Sequence, residues 1–204
     1  MNPALRFAIN QTKSVNVPVV NIDIAIKKGS GELPGVTYED YIYEGYGPGG
    51  VAILMEILTD NKNRTVADIR HLITKYGGNL GENGSVAWMF DTKGQIILTR
   101  DNQDENTLFE AAIDAGAEDV LVDEDMSIEV LTDPAEFESV RDTMRESGFS
   151  PENDELTMRA TTSAALDLKA ASSMIKMLEM LEDLDDVQTV YSNADISEEI
   201  LAQL

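Results

Sequence analysis

Apolar residues recur at helical spacing near both ends of the chain, and in alternating or continuous runs between them. Leu5, Ala8, Ile9 and Thr12 share one face of a helix that Asn2-Pro3 opens as cap and first residue and that runs to about Ser14. Pro18 opens a second helix with Val19, Ile22, Ala25 and Ile26 as its apolar stripe. Lys27 and Lys28 lie at its C-terminal end, and Gly29 and Gly31 stop it. From Tyr38 the period changes. Tyr38–Tyr46 and Val51–Thr59 read as strands, and the nearly unbroken apolar run VAILMEIL predicts that the second is buried on both faces.

A helix follows, with Val66, Ile69, Ile73 and Tyr76 on one stripe. Thr65 and Asp68 suggest a capping box at its start, and Gly77-Gly78 ends it. Ser85–Asp91 and Gln95–Arg100 read as a second hairpin through Thr92-Lys93-Gly94. Beyond residue 103 the pattern gives helix (104–115), strand (119–124), strand (127–132), helix (135–147) and strand (155–161). Met174, Met177, Leu178 and Leu181 then form the inward stripe of a last long helix, before a strand at 187–191 and a short terminal helix. Strands and helices in this order predict an α+β fold with helices covering sheet faces.

Charge divides the chain in a way that the apolar pattern does not. Residues 1–100 hold 10 Lys+Arg and 10 Asp+Glu, whereas residues 101–204 hold 5 and 28 and carry the entire net charge of −23. A uniformly acidic protein would repel nucleic acid, but a neutral first half leaves that class open. The acidic half reads either as a soluble, self-repelling surface or as a module that docks a basic partner or mimics a polyanion. No cysteine is present, which excludes disulfides and thiolate zinc sites. No apolar run approaches the roughly 18–20 residues of a membrane span, and the N-terminus has no secretory apolar region, so a cytoplasmic location is expected.

Catalytic and cofactor motifs are not supported. GYGPGG (45–50) is followed by Val51-Ala52 and a strand, where a phosphate-binding loop needs lysine, a hydroxyl and a helix. His71 is the only histidine, and no G-x-S-x-G elbow offers it a nucleophile. The acidic runs DEDMSIE (123–129) and LEDLDD (181–186) lack the glycine and glutamate of a calcium loop. No cofactor, metal or enzymatic activity is expected.

What remains is a cluster of cations with glycine-rich loops. Arg64, His71 and Lys75 fall at helical spacing on one outward face, with Arg70 alongside and Lys62 just before. They read either as a solvated face with an Arg64–Asp68 pair or as phosphate contacts. Arg6, Lys13, Lys27 and Lys28 extend the footprint if the first helices fold beside it. Tyr46, Gly47, Gly49 and Gly50 form either a rigid turn or a loop that offers backbone N–H groups and an aromatic ring to nucleic acid. Trp88 and Phe90 are placed on one face of a strand, Ala87 and Met89 on the other, mainly as core, with base stacking by an exposed aromatic as the second reading.

The runs GYGPGG (45–50), NRTVA (63–67), GGNLG (77–81) and GSVAWMF (84–90), taken together, resemble the YebC family of predicted transcriptional regulators, which includes a mitochondrial translational activator. The likeness extends from about Asn2 through LEDLDDVQTVYSNADI (181–196). It implies three modules: a shortened helical part (1–36), a central sheet domain (37–102 and 169–204), and an acidic domain (103–168) inserted into it. It also implies that the family's most basic helical segment would precede this chain and is missing from it. The function it implies is non-catalytic regulation of gene expression through nucleic acid, either DNA or ribosomal RNA on the ribosome, by a protein expected to be a monomer. A protein-interaction module whose acidic domain binds a basic partner is the alternative.

Overall fold

The computed structural model describes residues 3–14, 17–32, 37–99, 105–122 and 127–204. Along the chain the helices and strands are α1 (Pro3–Ser14), α2 (Val19–Gly29), β1 (Glu39–Tyr46), β2 (Ala52–Thr59), α3 (Lys62–Lys75), β3 (Asn79–Leu80) and β4 (Phe90–Thr99). They continue as α4 (Glu105–Ala115), β5 (Asp119–Val122), β6 (Ser127–Thr132), α5 (Phe137–Glu146), β7 (Asn153–Ala160) and β8 (Ala164–Ala165). The chain closes with α6 (Leu168–Glu182), β9 (Val187–Ser192), β10 (Ala194–Asp195) and α7 (Glu198–Leu201). The fold is α+β. The expected cap at Asn2 and the expected strand residues 123–124 lie outside the described residues.

Two four-stranded sheets organise the molecule, in the orders β3-β1-β2-β9 and β5-β6-β4-β7. The first runs antiparallel throughout, and β9 closes it beside β2, so the last long helix and strand return to the central sheet. As the apolar run of β2 requires, that strand is buried on both sides. Ile53, Met55 and Ile57 meet Ile69, Ile73, Met174, Met177 and Leu181 of α3 and α6. Ala52 and Leu54 point the other way, onto Val86 and Phe90, with Met158 of β7 packed against them. The second sheet covers one face with α4 and α5, burying Leu108, Ala112, Val140 and Met144 on Ile96, Leu98, Ile128 and Val130.

The expected second hairpin is not formed. Residues 90–99 make one continuous strand that pairs with β6 on one side and β7 on the other, and its sheet is that of the acidic half. Gly94, taken as a turn signal, lies inside that strand for want of space. A Cβ there would fall against the Thr132 hydroxyl and the Phe137 ring, 2.8 Å from Phe137 Cβ. Residues 87–89 form a 3₁₀ turn instead of a strand, which turns Trp88 outward at 66% exposure while Phe90 is buried. The two do not share a strand face.

The N-terminal helices pack on each other around a groove of about 550 Å³ lined by Leu5, Ile9, Ile22 and Ile26. Only Ile22 of the α2 stripe is buried; Val19 is 63% exposed, because a two-helix hairpin gives each helix a single neighbour to cover its apolar face.

Candidate nucleic-acid interface

The helix that carries most of the cations begins earlier than its sequence suggested. Asn61, not Thr65, caps α3, accepting the Arg64 N–H at 3.2 Å. Lys62 therefore stands in the first turn rather than in the preceding loop. Thr65 is instead a buried link in a polar network. Its hydroxyl donates to Asp186 Oδ2 at 2.6 Å and sits 2.8 Å from the Thr59 hydroxyl.

Arg64 completes that network. It holds both oxygens of Asp186, at 3.0 and 2.8 Å, and Asp60 at 2.9 Å. The expected Arg64–Asp68 pair is replaced by these contacts, because Asp186, just before β9, is delivered to the start of α3 by the return of the chain. Partial burial works to raise the pKa of Asp186, but the hydrogen bonds from Thr65 and Arg64 outweigh it and hold the carboxyl below its usual range. Around Arg64 lies a hollow of about 580 Å³ whose walls include Asp60, Asp68, Asp185 and Asp186. Four carboxylates beside one guanidinium make this end of α3 unfavourable for phosphate.

Replacing Thr65 with valine keeps the shape and removes the hydroxyl, leaving a carboxylate short of a buried donor. The expected loss is about 1–2 kcal/mol of stability by urea denaturation. An unchanged midpoint would mean that the network contributes nothing to the docking of β9.

Further along, α3 turns Ile69, Leu72 and Ile73 inward, which leaves Arg70, His71 and Lys75 exposed on the opposite side. Among the described residues, no ion pair engages any of the three. Lys75 lies 5.1 Å above the Tyr76 ring at the helix C-terminus, where a cation is favoured by the helix dipole. Lys62 stands 4.2 Å over the ring of Tyr41. The backbone thus brings Lys62, Arg64, Arg70 and Lys75 onto one helix with His71, and among the described residues only Arg64 of these is paired with carboxylates.

The other selected residues are placed differently. Arg6, Lys13, Lys27 and Lys28 are exposed on α1 and α2, whose main contact is with each other. Tyr46 is half-buried and donates its hydroxyl to the Ser85 carbonyl at 2.9 Å. Gly47 is buried, and a Cβ there would meet Met174 Sδ and Met177 Cε, both at 2.8 Å. Gly49 faces Leu166 just as closely. Packing against the methionines of α6 accounts for Gly47, and a φ of 72° with Leu166 close by accounts for Gly49. Gly50 is exposed, at φ 79°, with open space where a side chain would point.

Sequence reasoning passed over Glu44. Its carboxylate is 6% exposed and accepts the N–H groups of Gly84 at 2.6 Å, Val86 at 2.7 Å and Ala87 at 2.8 Å. This clamp fixes the loop from which Trp88 projects. A lone glutamate in a strand gives no sign that it will cap a loop forty residues later.

Among the described residues, no group of three or more His, Asp or Glu is arranged to hold a metal ion, and no helix is long and apolar enough to cross a membrane.

Residues 38–194 match the family model described as the TACO1/YebC second and third domain. The chain is 54% identical over 198 residues to a probable transcriptional regulatory protein of Geotalea uraniireducens, covering 97% of this chain and 79% of that protein. It is 55% identical over 203 residues to another of the same description from Methylococcus capsulatus, covering 100% and 82%. A crystal structure of a conserved hypothetical protein from Aquifex aeolicus superimposes with a TM-score of 0.86 at 45% identity, covering 98% of this chain and 82% of that one. The chain belongs to the TACO1/YebC family.

Proposed function

We propose that this protein is a non-enzymatic regulator of gene expression that contacts nucleic acid through the exposed cations of α3. It acts in the cytoplasm as a monomer and without a cofactor. The observation that carries the reading is the row Arg70, His71 and Lys75, unpaired among the described residues, on a rigid helix whose other face is core. Relatives that are 51–55% identical are named probable transcriptional regulatory proteins, which supports the same class. Lys62, held over Tyr41 in the first turn, lies off this row, and Arg6, Lys13, Lys27 and Lys28 add positive charge on α1 and α2. Arg64 contributes little, since its charge is answered by Asp60 and Asp186.

Contacts of this kind position a protein on phosphates without reading base sequence. The outward face of α2 weighs against sequence-specific DNA readout, which leaves structured RNA on the ribosome as a second target. It presents Val19, Val20 and Ile24, none of which can hydrogen-bond a base edge as a recognition helix does.

The test is binding of the wild type and of the Arg70→Glu/Lys75→Glu variant to duplex DNA and to purified ribosomes across a salt series. Both residues are exposed, so the fold is expected to hold. The variant should bind at least about tenfold more weakly, with a shallower salt dependence. Wild-type affinity for both targets in the variant would remove α3 from the interface. Ribosome binding that persists near physiological salt, with weak duplex binding, would select the RNA reading.

A further inference from the structure

The acidic half carries an apolar stripe of its own that the nucleic-acid reading leaves unused. In α4, Leu108 and Ala112 are buried against the second sheet, while Phe109 and Ile113 stand outward at 45% and 46% exposure. They are four residues apart and so lie one above the other on the helix surface. Val122, also 45% exposed, ends β5, the strand that borders the second sheet and that α4 contacts. Glu110 and Asp114 are exposed on the same helix.

Charge specifies what can cover this stripe. From Asp101 to Val140 the chain has 14 carboxylates and no lysine, arginine or histidine. Among the described residues, ion pairs reach that segment at two places, Lys93 on Glu118 and Arg159 on Glu129, and neither is on α4. A large aromatic and a branched aliphatic side chain, set in so negative a field, exclude nucleic acid as the occupant. A second copy of this chain is disfavoured too, since each copy carries −23.

We propose that the outer face of α4, centred on Phe109 and Ile113, docks a basic amphipathic segment of a partner protein. Apolar side chains of the partner cover Phe109 and Ile113, and its lysines or arginines meet Glu110 and Asp114. This surface is independent of the cations of α3, so the protein joins a nucleic-acid contact on one module to a protein contact on another.

The probe is a fluorescently labelled Leu/Lys peptide of about 18 residues, five helical turns, with leucines on one face, read by anisotropy against the full chain. A scrambled peptide of the same composition supplies the charge without the apolar face. Phe109→Gln/Ile113→Gln should weaken binding of the amphipathic peptide about tenfold and leave the weaker scrambled peptide unchanged. Val19→Gln/Ile24→Gln, which removes exposed apolar groups on α2, should leave both affinities as they are. If the α4 double variant does not fold by circular dichroism, Glu110→Lys/Asp114→Lys on the exposed rim replaces it, with the same loss expected. Equal affinity of the amphipathic peptide for wild type and α4 variants would overturn the proposal. So would a wild-type dimer in sedimentation that Phe109→Gln/Ile113→Gln dissociates, since the face would then join copies of this chain.

Discussion

Replacing Glu44 with glutamine is expected to lower stability by about 3 kcal/mol, measured by denaturant unfolding near neutral pH. The carboxylate is an acceptor on both oxygens, and three backbone N–H groups point at it: Gly84 on Oε1, Val86 and Ala87 on Oε2. An amide of the same shape must present its NH₂ to one of these two sets of donors. Either orientation leaves at least one buried N–H facing another donor, and it also loses the charge that strengthened all three bonds. The sign of the pH dependence follows from the direction of the pKa shift. Burial alone would raise the Glu44 pKa, but the backbone donors outweigh it and the folded value is lowered. The stabilisation is therefore fully present above the unfolded pKa, about 4.3, and is lost as pH falls through the lower folded value. The gap between wild type and Glu44→Gln should thus be constant from about pH 7 to 5 and narrow below about pH 4. Trp88, the only tryptophan, projects from the clamped loop, and its emission should show greater mobility in the variant. A gap that keeps its full size in acid would mean that the charge of Glu44 has no part in holding the loop.

What the sequence disclosed and what it hid divide along the range of the interactions. The two-faced burial of β2 could be read directly, since seven apolar residues among the eight of VAILMEIL leave no polar face to give to water. So could the inward stripe of α3, because Ile69 and Ile73 keep helical spacing whatever they pack against. The α+β class followed from the order of such segments. Gly94 misled because glycine signals both a turn and a close approach, and only the position of Phe137, over forty residues away, decides which applies. Arg64 was read with its helical neighbour Asp68, whereas its partner is Asp186, 122 residues distant. Glu44 had no local signature at all. For the interface the same limit applies. The types and spacing of Arg70, His71 and Lys75 were visible, but which cations remain unpaired depends on where carboxylates arrive in space, and that removed Arg64 from the set while leaving the others.

Gly78→Ala is expected to destabilise the protein by about 3 kcal/mol, more than Gly77→Ala, although Gly77 is the residue with the unusual backbone. Gly77 has φ 91°, and a side chain there would enter open space, so alanine brings only the strain of the left-handed region, about 1–2 kcal/mol. Gly78 faces the opposite problem. A Cβ would press on the carbonyl oxygen of Tyr46 and lie 2.9 Å from Ile73 Cγ2 and 3.1 Å from Gly47 Cα. Ile73 is fully buried, and the Gly78 N–H is bonded to its carbonyl at 2.9 Å, so that side chain cannot retreat. Tyr46 is paired with Asn79 across β1 and β3, and Gly47 is itself wedged against Met174 and Met177. Relief must come from backbone on every side, which would shift the end of α3, the short β3 and the GYGPGG loop together. Because the exposed cations of α3 end at Lys75, such a shift would also reach the proposed interface. Gly78→Ala should therefore weaken nucleic-acid binding as well as lower the unfolding midpoint, while Gly77→Ala should leave binding near wild type. Equal stability losses in the two variants would show that the turn, and not the contact between the α3 terminus and β1, is what requires glycine at this place.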